Sequence, residues 1–554
     1  MKITLSQINL HPGNIESNCR KIIDEIRKAS GEGSDIIIFP ELSVTGYPPM
    51  DLLDSEKFIE RTTEAVGNIA AECKEIAAVV GAPVPNAGGR GKKLFNSALF
   101  LTAGKISQIF NKALLPTYDV FDEYRYFEPS TDFKIVEWKG KRIAITICED
   151  LWDEQPFDHI KGKASLYAVS PLEEISRLNP DLVINISASP FAHNRVAARE
   201  KIFSTKAKHY RVPVIMVNQT GANTDLIFDG ASLVIDSNGI IKARLPFFRE
   251  ESFAFDLARL EEIDPSALSA IPEKIALIHD ALVTGIRDYL AKTGQKKVVI
   301  GLSGGIDSAV CAALAAKALG RENVAGLMMP SRFSSDHSLK DAVDLAENLG
   351  INWKKIEIES PSAAFENILS DSFNGTTPNI TEENIQARIR AVILMAWSNK
   401  FGHLVLNTSN KSEAATGYGT LYGDMAGALS VLGDVYKTDV WQLARYINRH
   451  SEIIPVSSIT KPPSAELREN QLDSDSLPQY EILDQILVRY IEQVMDPESI
   501  IKEGFDSDTV HRVIKMVDTN EYKRYQAPPS LRISTKAFGP GRRIPLVSGY
   551  RFRH

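Results

Sequence analysis

The sequence predicts an α/β protein of two domains. Apolar runs of strand length alternate with amphipathic helices through the first half of the chain, and the second half opens in the order strand, helix, strand, helix. Acidic and turn-forming residues separate the halves near 260–266. With 554 residues, 44% hydrophobic and 24% charged, the chain has the length for more than one large core and the composition of a globular protein.

Strand and helix patterns justify the first domain in order. Residues 1–7 alternate as a strand does, Ile15–Lys28 has the spacing of an amphipathic helix, and Asp35–Pro40 is typical of a buried strand. Further strands are predicted at 77–84, 97–101, 142–148, 181–187 and 213–219. Residues 232–241 predict a hairpin with an Asn-Gly turn. We therefore expect a mixed, layered α/β domain.

The second domain has the pattern of a parallel, doubly wound sheet. We place the first domain over 1–262, a linker over 263–275 and the second domain over 276–554. The predicted elements are helices over 273–292, 308–319 and 339–349, strands over 297–302 and 324–329, and irregular segments over 462–478 and 527–545. Strands that alternate with helices in this order are typical of doubly wound folds.

Charge and cysteine usage exclude several classes of function. The net charge is -8 and no basic run is present, which argues against nucleic-acid or membrane-surface partners. The apolar stretches are far shorter than the ~20 residues of a membrane-spanning helix. The cysteines form no C-x-x-C pair, and the first residues lack the pattern of a signal peptide. We expect a cytoplasmic protein without disulfides or structural zinc.

A glycine-rich string follows the predicted strand over 297–302. It reads Gly301-Leu302-Ser303-Gly304-Gly305-Ile306-Asp307-Ser308 and leads into a helix. Backbone N–H groups at the start of a helix bind anions, and the carboxylate of Asp307 can help hold a divalent cation against phosphate. The lysine of the Walker pattern is missing. A Gly-Gly turn alone would be an ordinary connection, but the complete string in this context favours a phosphate site.

This string resembles the Ser-Gly-Gly-x-Asp-Ser loop of the ATP pyrophosphatase (PP-loop) families, which grips the pyrophosphate that leaves when ATP adenylates a carboxylate. Within that superfamily, residues 407–424, 461–467 and 522–524 resemble the NAD synthetases. The fold implied is the adenine nucleotide α-hydrolase-like, doubly wound sheet. The segment Thr408-Ser409-Asn410-Lys411-Ser412-Glu413 departs from the Thr-Asp-His-Ala-Ala-Glu of the short, ammonia-dependent enzymes and agrees with the long, glutamine-dependent branch.

The resemblance also implies ligand contacts. The loop Gly301–Ser308 and Thr408 would bind ATP, which is the co-substrate. Asp307 and Glu413 would hold Mg²⁺. The implied deamido-NAD contacts are Asn384, Glu413 and Lys523. Without the flanking motif, Glu413 and Lys437 would be interpreted as surface charges on helices.

Three side chains in the first domain form a second candidate site. Glu41 comes just past a buried strand, Lys112 lies in a mostly apolar stretch, and Cys148 stands at the exit of another strand. Taken singly, Glu41 would more often be a solvated residue at the end of a strand, and Lys112 a lysine on the surface. Cys148 would more often be an unreactive cysteine buried in the core. Together they resemble the Glu, Lys and Cys of the nitrilase superfamily, which implies an αββα sandwich.

That resemblance implies hydrolysis of an amide. Glu41 would act as the base, Cys148 as the nucleophile and Lys112 as the cation that stabilises the oxyanion. It also assigns the binding of glutamine to Tyr118, Glu149, Ser189 and Arg195. The charges suit a free amino acid, since Glu149 can meet the α-ammonium group and Arg195 the α-carboxylate.

Together the two resemblances cover nearly the whole chain in the order seen in the glutamine-dependent NAD synthetase family. The implied reaction converts deamido-NAD, ATP and glutamine into NAD, AMP, pyrophosphate and glutamate. The family further implies a homo-oligomer. Because free ammonia at neutral pH is mostly ammonium, which has no lone pair for attack, we also expect the transfer of ammonia to be sheltered from water. Two alternatives stay open: a nitrilase-type amidase that feeds a PP-loop ligase with another acceptor, and a non-catalytic scaffold that senses ATP or NAD.

Overall fold

The computed structural model describes residues 1–153 and 166–550. The chain divides into two compact units, Met1–Pro272 and Glu273–His554. No helix in the described ranges combines the length and the apolar character needed to cross a bilayer. The four cysteines are free and buried.

Within the described residues, the first unit contains two six-stranded sheets, one two-stranded sheet and four α-helices. Its strands are β1 (Lys2–Gln7), β2 (Ile36–Ile38), β3 (Ala77–Pro85), β4 (Leu94–Thr102), β5 (Lys105–Asn111), β6 (Ile135–Trp138), β7 (Lys141–Ile147), β8 (Leu182–Ser187), β9 (Val214–Asn218), β10 (Thr220–Asn223), β11 (Leu226–Asp229), β12 (Leu233–Ile235), β13 (Ile241–Arg244) and β14 (Glu251–Asp256). Its helices are α1 (Ile15–Gly31), α2 (Glu56–Glu72), α3 (Pro171–Ser176) and α4 (Arg195–Tyr210).

The two six-stranded sheets of this unit pack face to face. One six-stranded sheet has the order β14-β1-β2-β3-β4-β5, the other has the order β13-β12-β9-β8-β7-β6, and β10 pairs with β11. Aliphatic side chains of β1, β2, β7 and β8 fill the space between the sheets. Apolar side chains of α1 and α2 pack on the outer face of the first sheet, and those of α4 pack on the second. The αββα sandwich expected from the sequence is confirmed.

The second unit is built around a parallel sheet. Its strands are β15 (Val298–Gly301), β16 (Val324–Met328), β17 (Asn352–Lys355), β18 (Leu404–Asn407) and β19 (Leu429–Ser430). Its helices are α5 (Lys274–Lys292), α6 (Ile306–Leu319), α7 (Asp336–Leu349), α8 (Glu359–Leu369), α9 (Ile380–Phe401), α10 (Lys411–Thr416), α11 (Lys437–Ile447), α12 (Val456–Thr460), α13 (Tyr480–Leu487), α14 (Pro497–Lys502), α15 (Ser507–Thr519) and α16 (Glu521–Arg524).

All pairings in the order β17-β16-β15-β18-β19 are parallel. The doubly wound, parallel sheet is therefore confirmed. In such a sheet the loops at the carboxyl ends of the strands form the ligand crevice. The glycine-rich string lies at one of those ends, directly after β15.

The sequence does not predict the strands β5, β6, β10, β11 and β14, and two differences bear on the candidate catalytic residues. The strand β5 is not predicted, because Ile106, Ile109 and Phe110 do not alternate with its polar residues and its first residues are exposed. The strand predicted over 142–148 ends at Ile147, since Cys148 has a φ of 44° and begins a short 3-10 helix. Both differences fall where candidate catalytic residues leave a strand.

Candidate active sites

The direction of the strands brings Glu41 and Lys112 to one edge of the first sheet. β2 is parallel to β3, while β3 to β4 and β4 to β5 are antiparallel steps, so β5 runs in the same direction as β2. Glu41 follows β2, and Lys112 follows β5. Nζ of Lys112 donates to Oε1 of Glu41 at 2.6 Å, and both side chains are buried.

A second carboxylate, Glu123, completes this cluster. Nζ of Lys112 donates to Oε1 and Oε2 of Glu123 at 2.9 and 2.8 Å, and the hydroxyl of Tyr47 donates to its Oε1 at 2.9 Å. Glu123 is 5% exposed. The sequence analysis missed this residue, whose one signal is its place 11 residues after Lys112 in the same loop.

Cys148 lies at the end of β7 in the second sheet, in a left-handed backbone conformation. Asp150 holds this turn in place: its Oδ2 accepts from the backbone N–H of Ile147 at 2.9 Å. Its Oδ1 accepts from the N–H groups of Ala113 and Leu114 at 3.0 and 2.9 Å. Asp150, which the sequence analysis also missed, therefore joins the thiol turn to the segment that follows Lys112.

The two sheets also meet at Glu41. The backbone N–H of Ala188 donates to Oε2 of Glu41 at 3.0 Å. Ala188 follows β8, which is parallel to β7, so it lies at the same edge as Cys148. Asn185 donates to the backbone oxygen of Cys148 at 3.4 Å. The three residues predicted as a catalytic set thus converge at the carboxyl ends of strands from both sheets.

Burial controls the protonation of this cluster. Burial, followed by Glu41, raises the pKa of the Cys148 thiol well above its usual range, so the resting thiol is protonated. Burial by itself lowers the pKa of Lys112, but Glu123 and Glu41 outweigh it and keep this amine cationic. Burial raises the pKa of Glu123 to about 7 although Lys112 opposes the shift.

The residues predicted to bind glutamine form two neighbouring groups. The hydroxyl groups of Tyr118 and Tyr167 each donate to Oε1 of Glu149 at 2.9 Å. Burial raises the pKa of Glu149 to about 7, against these two hydrogen bonds and the charges of Lys112 and Arg195. Ser189 and Arg195 line one small cleft. Tyr167 carries no recognisable motif, so the sequence analysis did not identify it.

In the second unit the glycine-rich loop connects β15 to α6 in a tight turn. Gly304 has a φ of +79°, and a Cβ at this position would lie 2.1 Å from the backbone oxygen of Ser338. Inside the loop, the N–H of Gly305 donates to Oγ of Ser303 at 3.2 Å, and Oγ of Ser308 donates to the carbonyl of Gly305 at 3.0 Å. The required conformation and the close approach of Ser338 explain the glycine at 304.

Charged side chains surround Asp307 at the start of α6. Nζ of Lys437 lies 2.5 Å from Oδ2 of Asp307 and 3.5 Å from Oε1 of Glu413. Asn410, which caps α10, donates to Oδ1 of Asp307 at 3.0 Å. Lys437 is 2% exposed, so its interpretation as a surface charge is wrong.

A cavity of about 310 Å³ opens beside this cluster. The predicted ATP residues on its wall are Gly301, Leu302, Ser303, Gly305, Ile306, Asp307, Ser308 and Thr408. Glu413, Lys437 and residues 461–467 line the same cavity, as do Arg390 and Asp424, which the sequence analysis did not single out.

Comparisons with known proteins identify the family. A carbon-nitrogen hydrolase family model matches residues 2–267, and an NAD synthase family model matches residues 278–527. The glutamine-dependent NAD(+) synthetase of Synechocystis sp. is 44% identical, with 99% of each chain covered. The chain belongs to the glutamine-dependent NAD(+) synthetase family. The resemblance to this family drawn from the sequence motifs is thereby confirmed.

Further members of the glutamine-dependent NAD(+) synthetase family agree. The relative from Thermotoga maritima is 39% identical, with 100% of this chain and 99% of that protein covered. The solved structure of the Acinetobacter baumannii synthetase in complex with adenosine diphosphate is 39% identical, with a TM-score of 0.77 and coverage of 100% and 99%. The Cytophaga hutchinsonii synthetase, 22% identical with a TM-score of 0.84 and coverage of 99% and 98%, shows the same fold.

Two residues that the resemblance to NAD synthetases singled out lie beside the cavity of the second unit and not on its wall. Oδ1 of Asn384 accepts from the hydroxyl of Thr420 at 2.7 Å. Nζ of Lys523 donates to the backbone oxygens of Gly417 and Gly419 at 2.7 and 2.8 Å. Both therefore contact the glycine-containing segment that follows α10. Their contact with a dinucleotide stays a prediction.

Proposed function

We propose that this chain transfers the amide nitrogen of glutamine to deamido-NAD at the expense of ATP, forming NAD, AMP, pyrophosphate and glutamate. One observation carries the proposal: the same chain holds a buried carboxylate, lysine and thiol cluster and, in a separate unit, a glycine-rich anion loop beside a cavity. The first suits the hydrolysis of an amide, and the second suits the activation of a carboxylate by ATP.

In the first unit, Glu41 accepts the proton of the Cys148 thiol while Sγ attacks the amide carbonyl of glutamine. The raised pKa of the thiol favours proton transfer during the attack over a thiolate formed in advance. Lys112, kept cationic by its two carboxylates, stabilises the oxyanion. As the C–N bond breaks, Glu41 returns the proton to the departing nitrogen. Water then hydrolyses the γ-glutamyl thioester.

The neighbouring groups fix the amino-acid end of the substrate. Glu149, oriented by Tyr118 and Tyr167, receives the α-ammonium group, while Arg195 and Ser189 receive the α-carboxylate. Opposite charges at the two ends select a free amino acid over a peptide side chain.

The pKa of Glu149 predicts a pH dependence. Since this carboxyl gains its proton below about pH 7, the charge that attracts the α-ammonium group is lost as the pH falls. We expect the KM for glutamine to rise by about tenfold per pH unit below that value. Steady-state kinetics between pH 5.5 and 8.5 measure it, with ammonium-driven synthesis at fixed free ammonia as the control. A KM that stays constant across this range would contradict the role of Glu149.

In the second unit, the backbone N–H groups of the loop at 301–308 bind the β- and γ-phosphates of ATP, with Thr408 and Lys437 on the same wall. The nicotinate carboxylate attacks the α-phosphorus, pyrophosphate leaves, and ammonia then displaces AMP from the acyl adenylate. Asn384, Glu413 and Lys523 are the proposed contacts of deamido-NAD.

The acidic pair Asp307 and Glu413 fits Mg²⁺. Both carboxylates approach the same ammonium group of Lys437, so they face a common space. Within 1–153 and 166–550, no group of three or more His, Cys, Asp or Glu side chains is arranged to hold a metal alone. One or two carboxylates together with substrate phosphates are the usual ligands of Mg²⁺, which neutralises phosphate charge when bound.

Product analysis tests the reaction. With glutamine, ATP and deamido-NAD, we expect equal amounts of NAD, AMP, pyrophosphate and glutamate. A panel of other carboxylates, offered under the same conditions, tests the alternative acceptor. Release of ADP and phosphate, or faster turnover of another carboxylate, would contradict the proposal. Absence of glutamate release would favour the nucleotide-sensing scaffold.

We also propose that the chain is a homo-oligomer. The helices α8 and α9 expose apolar side chains: Ile368 is 73% exposed, Val392 is 68% exposed, and Phe401 is 52% exposed. Exposed apolar faces of this kind are typical of subunit interfaces. We expect Val392→Asp to lower the molar mass measured by light scattering, whereas Val494→Asp, at another exposed valine, leaves it unchanged. Equal masses for the two variants would exclude this face.

A further inference from the structure

Asn96 on β4 forms hydrogen bonds with Glu41, Glu123 and Lys112 of the amide-hydrolysing cluster. Its Nδ2 donates to Oε1 of Glu41 at 2.8 Å and to Oε2 of Glu123 at 3.3 Å. Its backbone oxygen accepts from the N–H of Lys112 at 2.8 Å. The side chain is 1% exposed. No motif of the sequence points to this residue, and the reaction described above does not use it.

The other half of the same amide is unpaired. Among the described residues, Oδ1 of Asn96 has no hydrogen-bond partner although it is fully buried. Exchange of the amide oxygen and nitrogen would not resolve this, because Nδ2 already faces two carboxylates, which accept hydrogen bonds and do not donate them when ionised. A buried acceptor without a donor destabilises the folded protein. Its position beside Glu41 points to a donor that arrives there during the reaction.

On the basis of the proposed amide hydrolysis, we propose that Asn96 is a positioning residue of this reaction. Its Nδ2 orients the carboxylates of Glu41 and Glu123. Its Oδ1 accepts a hydrogen bond from the small molecule that exchanges a proton with Glu41. That molecule is first the departing ammonia and then the water that replaces it. Both carry an N–H or O–H donor and are small enough for a closed site.

The chemistry balances in both steps. When the C–N bond of the tetrahedral intermediate breaks, the proton of the Glu41 carboxyl passes to nitrogen, and ammonia leaves with one N–H directed at Oδ1. When water attacks the thioester, one proton goes to the Glu41 carboxylate while the second O–H is directed at Oδ1. The C–S bond then breaks, and Glu41 returns the proton to Sγ of Cys148.

The hydrogen bonds from Nδ2 of Asn96 should affect the pKa values of the carboxyl groups that accept them. A donor to an ionised carboxylate lowers its pKa, so loss of Nδ2 should raise the pKa of Glu123 further above about 7. The titratable groups in and around this cluster are Glu41, Lys112, Glu123, Tyr47, Cys148, Glu149 and Asp150. Substitution at position 96 leaves each of these side chains in the protein, so a change in the pH profile reports their environment.

The test compares Asn96→Ala and Asn96→Asp with Ser97→Ala. Ser97 is the matched control, because it is a buried polar neighbour on β4 whose hydroxyl donates to Oδ1 of Asn111 at 2.7 Å. Four quantities are measured: the kcat and KM of glutamine hydrolysis, the pH profile of kcat/KM, ammonium-driven NAD formation and the thermal unfolding midpoint.

We expect Asn96→Ala to lower the kcat for glutamine by about tenfold to a hundredfold, with less than a threefold change in KM. The acid limb of the pH profile should move upward in Asn96→Ala and further upward in Asn96→Asp, which adds a third carboxyl group. Ammonium-driven synthesis should stay within twofold of wild type, which shows that the variant is folded.

Three outcomes would overturn the inference: a kcat and pH profile that match those of Ser97→Ala, a loss confined to KM, or an Asn96→Asp variant as active as wild type. If Asn96→Ala does not fold, the isosteric Asn96→Asp decides on the same readouts. Failure of wild-type protein to release glutamate would instead contradict the proposed function, so the two failures are distinguishable.

Discussion

Replacement of Cys148 by alanine is expected to abolish NAD formation from glutamine, by at least about 10³-fold, while synthesis from ammonium chloride stays within about twofold of wild type. The sulfur of Cys148 forms the thioester. The carboxylate of Glu41 is a weaker nucleophile and the protonated amine of Lys112 has no lone pair, so neither can take its place. The synthetase chemistry uses ammonia from either source. Initial rates of NAD formation with each donor measure the effect.

The control for this prediction is Cys73→Ala. Cys73 is another fully buried thiol of the first unit, and its sulfur contacts the backbone oxygen of Ile69 at 3.4 Å. We expect the Cys73→Ala enzyme to retain both activities. If Cys148→Ala also retained the glutamine-driven rate, another group would have to form the acyl intermediate.

The second large effect is expected at Asp307. Asp307→Ala should lower NAD formation by about 10²- to 10³-fold with glutamine and with ammonium alike, because the activation of the nicotinate carboxylate precedes the use of either donor. The substitution removes the carboxylate that pairs with Lys437 at 2.5 Å and leaves that cation with the more distant carboxylate of Glu413, at 3.5 Å. Release of pyrophosphate, followed with each nitrogen donor, measures the loss.

Asp336→Ala provides the matched control, since Asp336 also lies in the first turn of a helix but is exposed and pairs with no buried cation. Its rates should stay close to those of wild type. A selective loss with glutamine in Asp307→Ala, and a normal rate with ammonium, would mean that this carboxylate serves the first unit and not the second.

The sequence predicts which residues belong to a catalytic motif, and it predicts the position of those that follow a clearly apolar strand. Glu41 and Cys148 follow strands whose apolar runs are unmistakable, so their place at the sheet edge follows from the α/β pattern. Lys112 follows β5, whose apolar residues do not alternate with its polar ones, so periodicity does not predict this strand. Only the family resemblance places Lys112 in the catalytic set. Local pattern therefore accounts for two of these three positions.

Residues that act through distant contacts could not be predicted in this way. The side chains of Asn96 and Glu123 reach the cluster through hydrogen bonds to residues distant in the sequence, and neither has a neighbouring motif. Lys437 starts a helix that resembles any amphipathic surface helix. Its burial arises because α11 packs against α6, which brings the amine to Asp307. Such contacts depend on tertiary packing, which periodicity does not encode.

The central claim is that one centre releases nitrogen from glutamine and another installs it in NAD. Transfer of an isotope label tests this most directly: the enzyme is supplied with glutamine labelled with ¹⁵N at the amide, ATP and deamido-NAD, and the NAD formed is analysed by mass spectrometry. We expect the ¹⁵N to appear in the carboxamide of NAD, with one labelled NAD for each glutamate. NAD that carries no label while glutamate accumulates would contradict the account.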